Sequence, residues 1–218
     1  LARLTARERA HGLHARFTPT EEQPMFDVPG LLYIPDYLAP AQHDELVELI
    51  DAQSWSSELA RRTQHYGYKY DYAARAVDPR TEVVAIPAWL AALGEMLHAD
   101  QLIDELPDQV IVNEYEPGQG IGHHLDCVPC FTGVIFSLSL LSGTVMQFRS
   151  IDRKRIVPLY AEPRSLIVMR GAARYEWTHG IPARAADTWN GKERPRGRRI
   201  SITFRKVKLD PADTGGQP

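Results

Sequence analysis

The chain has 218 residues, of which 44% are apolar and 24% charged, proportions that exclude wholesale disorder. Lys and Arg total 25 against 28 Asp and Glu, and the net charge of −3 excludes a uniformly basic nucleic-acid coat. With 16 Pro and 15 Gly, many short elements are favoured over a helical bundle, and no run of about 18 apolar residues is present to span a membrane.

Residues 1–30 read as an N-terminal extension. Arg3, Arg7, Arg9 and Arg16 are interrupted by Glu8 and no apolar stretch follows, so a secretory signal is rejected in favour of a weakly helical leader. Residues 40–53 predict an amphipathic helix, with Leu46, Val47, Leu49 and Ile50 set among acidic residues and Pro40 in the first turn. Residues 87–99 (PAWLAALGEMLHA) predict a second helix. Between them, RRTQHYGYKYDYAAR (61–75) spaces Tyr66, Tyr68, Tyr70 and Tyr72 by two, which in an extended ribbon sets all four on one side. From residue 109 the pattern turns β-branched with period two: QVIVNEY, GVIFSLSLL, TVMQFR, RIVPLY, SLIVM, ARYEWTH and RISITFRKV. Seven short strands broken by Gly, Pro and charged turns predict a sandwich or barrel. Residues 31–208 are expected to form one domain and residues 209–218 a disordered tail.

Charge is uneven along this order. Acidic residues dominate through residue 60, whereas Lys192, Arg194, Arg196, Arg198, Arg199, Arg205, Lys206 and Lys208 face only Glu193. Such a segment suits a phosphate backbone, and equally a solvated surface with compensating charges. The two cysteines, Cys127 and Cys130, are too few for a disulfide scaffold, which fits a reducing cytoplasm. In C-V-P-C without further Cys or His partners they are expected to line a loop or pocket, ahead of a redox role. P-G-Q-G-I-G (117–122) lacks dinucleotide spacing and reads as a tight turn.

His124 and Asp126 form an H-x-D pair whose side chains share a face if the segment is extended. His179, after the strand-like ARYEWTH run, is the candidate third ligand. Two His and one carboxylate make the facial triad of non-haem Fe(II) oxygenases, which leaves coordination positions open. His123 beside His124 leaves the register open by one residue. In RISITFR, Arg199, Ser201, Thr203 and Arg205 share one face and Ile200, Ile202 and Phe204 the other. Two inward Arg are costly unless they meet an anion. Their Cα atoms are about 20 Å apart along a strand, within reach of the two ends of a small dicarboxylate. Alternatively both belong to the basic surface. Asn113 and Tyr115 share a face of QVIVNEY and can offer neutral hydrogen bonds to an oxo-acid, or simply end a strand.

Together, N-E-Y-E-P-G-Q-G-I-G-H-H-L-D, W-T-H-G-I and R-I-S-I-T-F-R resemble the AlkB family of Fe(II)/2-oxoglutarate dioxygenases over residues 110–206. The resemblance implies a mainly-β fold with flanking helices and a double-stranded β-helix (jelly-roll) core. It implies Fe(II) held by His124, Asp126 and His179, and 2-oxoglutarate bound by Asn113, Tyr115, Arg199 and Arg205, with Arg199 on the far carboxylate. O₂ is the other co-substrate. The implied activity is oxidative demethylation of N-alkylated bases in DNA or RNA: hydroxylation of the alkyl group, then loss of the aldehyde. A base inside a duplex cannot reach a buried metal, so single strands or flipped bases are expected. Residues 61–80 are the expected nucleotide-recognition lid, with Arg62, His65, Tyr66, Tyr68 and Tyr70, together with Arg174, on the substrate. The partner is therefore single-stranded DNA or RNA, tRNA included, and the protein is expected to be a monomer. Val128 stands where the bacterial repair member carries an acidic residue that meets the base. RRTQHYGYKYDY and YEPGQGIGHHLD look closer to the branch that hydroxylates a wobble uridine in tRNA, which is the alternative activity; a protein or small-molecule oxygenase is the third.

Overall fold

A strand with a two-residue period buries one face and offers the other, so the apolar residues of this chain dictate its layers. The structure, a computed structural model, describes residues 27–71, 76–77 and 83–209. The expectations for residues 1–26, Tyr72, Arg75 and the tail from residue 210 lie outside them.

The order is β1 (Leu31–Ile34), α1 (Pro40–Asp51), β2 (Thr63–Gly67), β3 (Tyr70–Asp71), β4 (Ala76–Val77) and α2 (Ala88–Ala99). There follow β5 (Gln109–Tyr115), β6 (Ile121–His124), β7 (Val134–Leu141), β8 (Thr144–Ser150), β9 (Ile156–Ala161) and β10 (Leu166–Arg170). The chain closes with α3 (Ala172–Tyr175), β11 (Trp177–Ile181), β12 (Ala186–Trp189), β13 (Lys192–Pro195) and β14 (Arg199–Arg205). Both expected helices are present; Pro40 sits in the first turn of α1 and Pro87 caps α2 in an extended conformation. ARYEWTH is corrected. Its first half is the single turn α3, entered through Gly171 at φ +53, and only Trp177 onward is strand. β1, β6, β12 and β13 were not predicted, because they are short and polar or lack alternation.

Six strands form a major antiparallel sheet in the order β1-β10-β7-β14-β5-β2, and four form a minor sheet, β6-β11-β8-β9. The two facing sheets are the sandwich among the alternatives that the patterning predicted, and the jelly-roll that the resemblance implied. One face of the major sheet carries Val110, Val112, Phe136, Leu138, Ile200, Ile202 and Phe204 against Leu46 and Ile50 of α1 and Leu90, Leu93 and Leu97 of α2. Burying each such side chain contributes about 1.5–3 kcal/mol. The other face meets the minor sheet through Ile135, Phe148, Leu159, Ile167 and Trp177. There β14 presents Arg199, Ser201, Thr203 and Arg205, the alternation read from RISITFR.

One expectation fails and one alternative is decided, each for a physical reason. The tyrosine ribbon is broken at Gly67, φ +75, where a Cβ would lie 1.8 Å from the Asp108 carbonyl oxygen. Tyr66 therefore goes to the helical core, edge-on to Trp89 at 6.3 Å, and its hydroxyl donates to Gln64 Oε1. Tyr68 and Tyr70 pack toward the sheet interior. The basic segment is not a free rail either. Arg196 binds the fully buried Asp187, Arg198 binds Asp51 and Glu114, and Lys206 binds Asp108. Buried carboxylates demand such partners, and the compensated reading of the charge holds for these residues. Lys192 and Arg194 lie on the exposed β13.

Candidate metal and co-substrate site

Between the two sheets opens a cavity of about 390 Å³. β6 brings His124 to it and β11 brings His179, paired directly across the strands. β6 ends at His124, so Asp126 reaches the same space from the loop beyond and not from the strand. Nitrogen and carboxylate atoms of His124, Asp126 and His179 all lie within 4.8 Å of one another. His179 Nε2 is 3.5 Å from Asp126 Oδ2. His124 Nδ1 is 2.9 Å from the Gly122 carbonyl, which can only accept, so Nδ1 is the protonated nitrogen of the neutral ring and Nε2 the one that faces a metal in that tautomer. His123 points out of the site, toward Gln147 and Thr178, which settles the register.

The protonation states of Asp126 and His179 suit a cation. Burial alone would raise the Asp126 carboxyl, but Arg205, His179 and His124 hold it far below the usual carboxylate range. Burial, with His124 adding, pushes His179 down to about 3. An ionised carboxylate and neutral imidazoles are what metal ligation requires.

The loop that carries Asp126 is fixed from behind. Arg174, 2% exposed, donates from Nη1 to the Asp126 carbonyl and from Nη2 to that of Cys127, each at 3.0 Å. Arg174 was assigned to substrate; here it braces the backbone. Arg205 forms an ion pair with Asp126 and donates to Gln109 Oε1, so its guanidinium orients the carboxylate. Cys127 and Cys130 form a disulfide, a pairing the sequence reading did not expect, and Cys127 also lines the cavity.

Arg199 supplies the co-substrate test. It is 3% exposed; Nη2 donates to Ser139 Oγ, while Nε and Nη1 are buried without a protein partner. Burial pushes it down to about 10, against Tyr115, which raises it, so it stays cationic at neutral pH. Two buried guanidinium nitrogens without a protein partner fit an anionic oxygen ligand such as a carboxylate. Asn113 and Tyr115 of β5 line the same cavity, and the Tyr115 ring centroid lies 5.5 Å from the Arg199 guanidinium. The residues present thus fit both a divalent cation and a dicarboxylate.

The substrate assignments fare less evenly. Tyr70 lines the cavity, stacked obliquely on Phe131. His65 lies on the inward face of β2, beside Thr63. Arg62 turns away and binds Glu114 through Nε and Nη2. Its neighbour Arg61 lines the cavity, a residue the sequence reading missed. Parity was the available signal: Thr63 pairs with Asn113 across β2 and β5, so residue 61 falls on the same side.

The family model described as the 2OG-Fe(II) oxygenase superfamily matches residues 30–205. Protein L905 of Acanthamoeba polyphaga mimivirus, uncharacterised, is 41% identical over 82% of this chain and 85% of its own length. The mouse mitochondrial alpha-ketoglutarate-dependent dioxygenase alkB homolog 7 is 31% identical over 79% of this chain and 76% of its own. The Xenopus tropicalis protein named tRNA (carboxymethyluridine(34)-5-O)-methyltransferase alkbh8 is 34% identical over 85% of this chain, which spans 33% of that protein. Among solved structures, OsALKBH1 superposes with a TM-score of 0.61 at 17% identity, covering 82% of this chain and 98% of its own, a likeness of fold.

Proposed function

Because the chain belongs to the AlkB family of the 2OG-Fe(II) oxygenase superfamily, dioxygenases that use Fe(II), 2-oxoglutarate and O₂, we propose that it oxidises an alkyl group carried by a nucleobase in DNA or RNA. In this reading His124, Asp126 and His179 hold the metal. Arg199 receives the far carboxylate of 2-oxoglutarate, with Asn113 and Tyr115 beside it. The observation that carries this reading is the pair of unpartnered Arg199 nitrogens in the same cavity as the His–Asp–His cluster. When bound, metal and co-substrate supply O₂-dependent oxidation of a substrate C–H bond, 2-oxoglutarate leaving as succinate and CO₂. The chain's own contribution is positional. Arg205 and Arg174 hold Asp126 and its loop, and Ser139 fixes one nitrogen of Arg199 while the other two await the anion.

Arg61, Tyr70 and Leu59 contribute to the cavity wall from the segment preceding and following β2, and a flat base can lie against Tyr70. On an N-methyl group, hydroxylation ends in loss of formaldehyde and a free base. A second reading is retention of the hydroxyl on a tRNA uridine side chain; the Xenopus relative's name, which places that protein on a tRNA uridine, is in line with such a substrate. That protein is three times longer than the matched segment, so its named activity does not transfer as a whole. Val128, 38% exposed, offers no acidic partner for an exocyclic amine.

Nucleoside mass spectrometry tests both readings, after incubation with Fe(II), 2-oxoglutarate and ascorbate on a mixture of alkylated single-stranded DNA and bulk tRNA. Loss of methyl from 1-methyladenine or 3-methylcytosine supports dealkylation. Gain of one oxygen on a tRNA uridine, with the alkylated bases untouched, supports the second reading. Consumption of 2-oxoglutarate with every nucleoside unchanged would contradict a nucleobase substrate.

A further inference from the structure

An asparagine amide presents an acceptor on one side and a two-proton donor on the other, and a ring of neighbours decides which way it faces. Asn113 is 7% exposed on the inward face of β5. Arg61 Nε is 2.8 Å from its Oδ1. A guanidinium has donors and no acceptor, so this contact admits only one orientation: Oδ1 toward Arg61 and the Nδ2 donors turned away from it. The same guanidinium lies 5.9 Å from the ring centroid of Tyr115, the next inward residue of β5. Arg61 is therefore coupled to both neutral groups assigned to the co-substrate, and it is itself part of the cavity wall.

The backbone around Arg61 is held on both flanks. The Ala60 carbonyl accepts from Gln119 Nε2 at 2.9 Å, and the Arg62 carbonyl accepts from Glu114 N at 3.0 Å. Ser56 and Thr63 exchange both backbone hydrogen bonds, at 2.8 and 3.0 Å. The adjacent Arg62 is anchored on Glu114 outside the cavity. Of two consecutive arginines, one ties the segment down and the other is left to face inward.

We infer that Arg61 is a positioning residue for the co-substrate: by accepting no hydrogen bond it locks the Asn113 amide with its donors available to a carboxylate. A carboxylate offers only acceptors, so the reversed amide would set oxygen against oxygen. The inference rests on the reading that Asn113 and Arg199 receive 2-oxoglutarate, and the test separates the two.

The experiment is a calorimetric titration of 2-oxoglutarate into the Mn(II)-loaded full chain, comparing wild type with Arg61→Met, Arg61→Lys and Arg199→Leu. Arg61→Met is expected to weaken binding about tenfold, the scale of one hydrogen bond to a charged group. Arg61→Lys, also donor-only, is expected to stay within about threefold of wild type. In Arg61→Met the KM for 2-oxoglutarate should rise by more than kcat falls, and its ligand-free thermal midpoint should match wild type. If Arg199→Leu binds as wild type does, the reading of the cavity fails. If Arg199→Leu loses binding while Arg61→Met does not, the role of Arg61 alone is overturned. Equal losses in Arg61→Met and Arg61→Lys would also overturn it, because the donor-only argument makes lysine a substitute.

Discussion

The two faces of the major sheet are built to opposite rules. On the helical face Ile200, Ile202 and Phe204 of β14 interlock with α1 and α2, and no buried side chain among the residues of that core lacks a hydrogen-bond partner it needs. On the cavity face the same strand presents Arg199 and Arg205, each with a buried nitrogen that no protein group satisfies. One face is finished by the chain itself; the other, in the proposed reading, is finished by a ligand. An unpartnered buried cation lowers stability, so its retention points to binding and not to folding.

Substitutions can break that comparison. His179→Ala should abolish 2-oxoglutarate turnover with the fold retained, checked by succinate formation beside circular dichroism; undiminished turnover would remove it from the ligand set. Phe204→Ala, on the finished face, should cost about 3–5 kcal/mol in chemical denaturation. Its effect on 2-oxoglutarate affinity, measured on the folded fraction, should be small. Arg199→Leu should do the reverse. It should weaken 2-oxoglutarate binding about a hundredfold, from two charged hydrogen bonds, while the ligand-free protein keeps or raises its melting midpoint.

The smallest effect concerns Asp187, buried beneath Arg184 and Arg196 and accepting from Val145 N. Burial would raise its carboxyl, but the Arg196 hydrogen bond and the neighbouring donors hold it below the ordinary value. A depressed carboxylate stabilises above the unfolded pKa of about 3.9 and loses that contribution as pH falls through its folded value. Asp187→Asn should therefore be less stable than wild type by about 1–3 kcal/mol at neutral pH. The gap should narrow below about pH 4, as urea unfolding across pH 2–7 would show.

Local pattern made much of this legible. The alternation of RISITFR assigned both faces of β14, and the H-x-D pair with His179 named residues that the fold brings within 4.8 Å of one another. What was not legible depended on partners distant in sequence. Arg174, expected on the substrate, donates to the Asp126 and Cys127 carbonyls, and Arg61 rather than Arg62 lines the cavity because Glu114 binds Arg62. The basic segment looked like a rail because Asp51 and Glu114, which bind Arg198, lie far from it in sequence, while Asp187, nine residues before Arg196, sits just outside the segment. Among the described residues the tyrosine ribbon breaks at Gly67, where the backbone turns against Asp108.

The central claim, that the cavity face is completed by a divalent cation and 2-oxoglutarate, is tested most directly by thermal unfolding with Mn(II), with 2-oxoglutarate, and with both. The account predicts a midpoint raised by Mn(II) and raised further by the pair, since a ligand at about 100 times its Kd adds about 2.7 kcal/mol to stability. It also predicts that the added shift disappears in Arg199→Leu. A midpoint indifferent to both ligands, or a 2-oxoglutarate shift that survives the loss of Arg199, would contradict it.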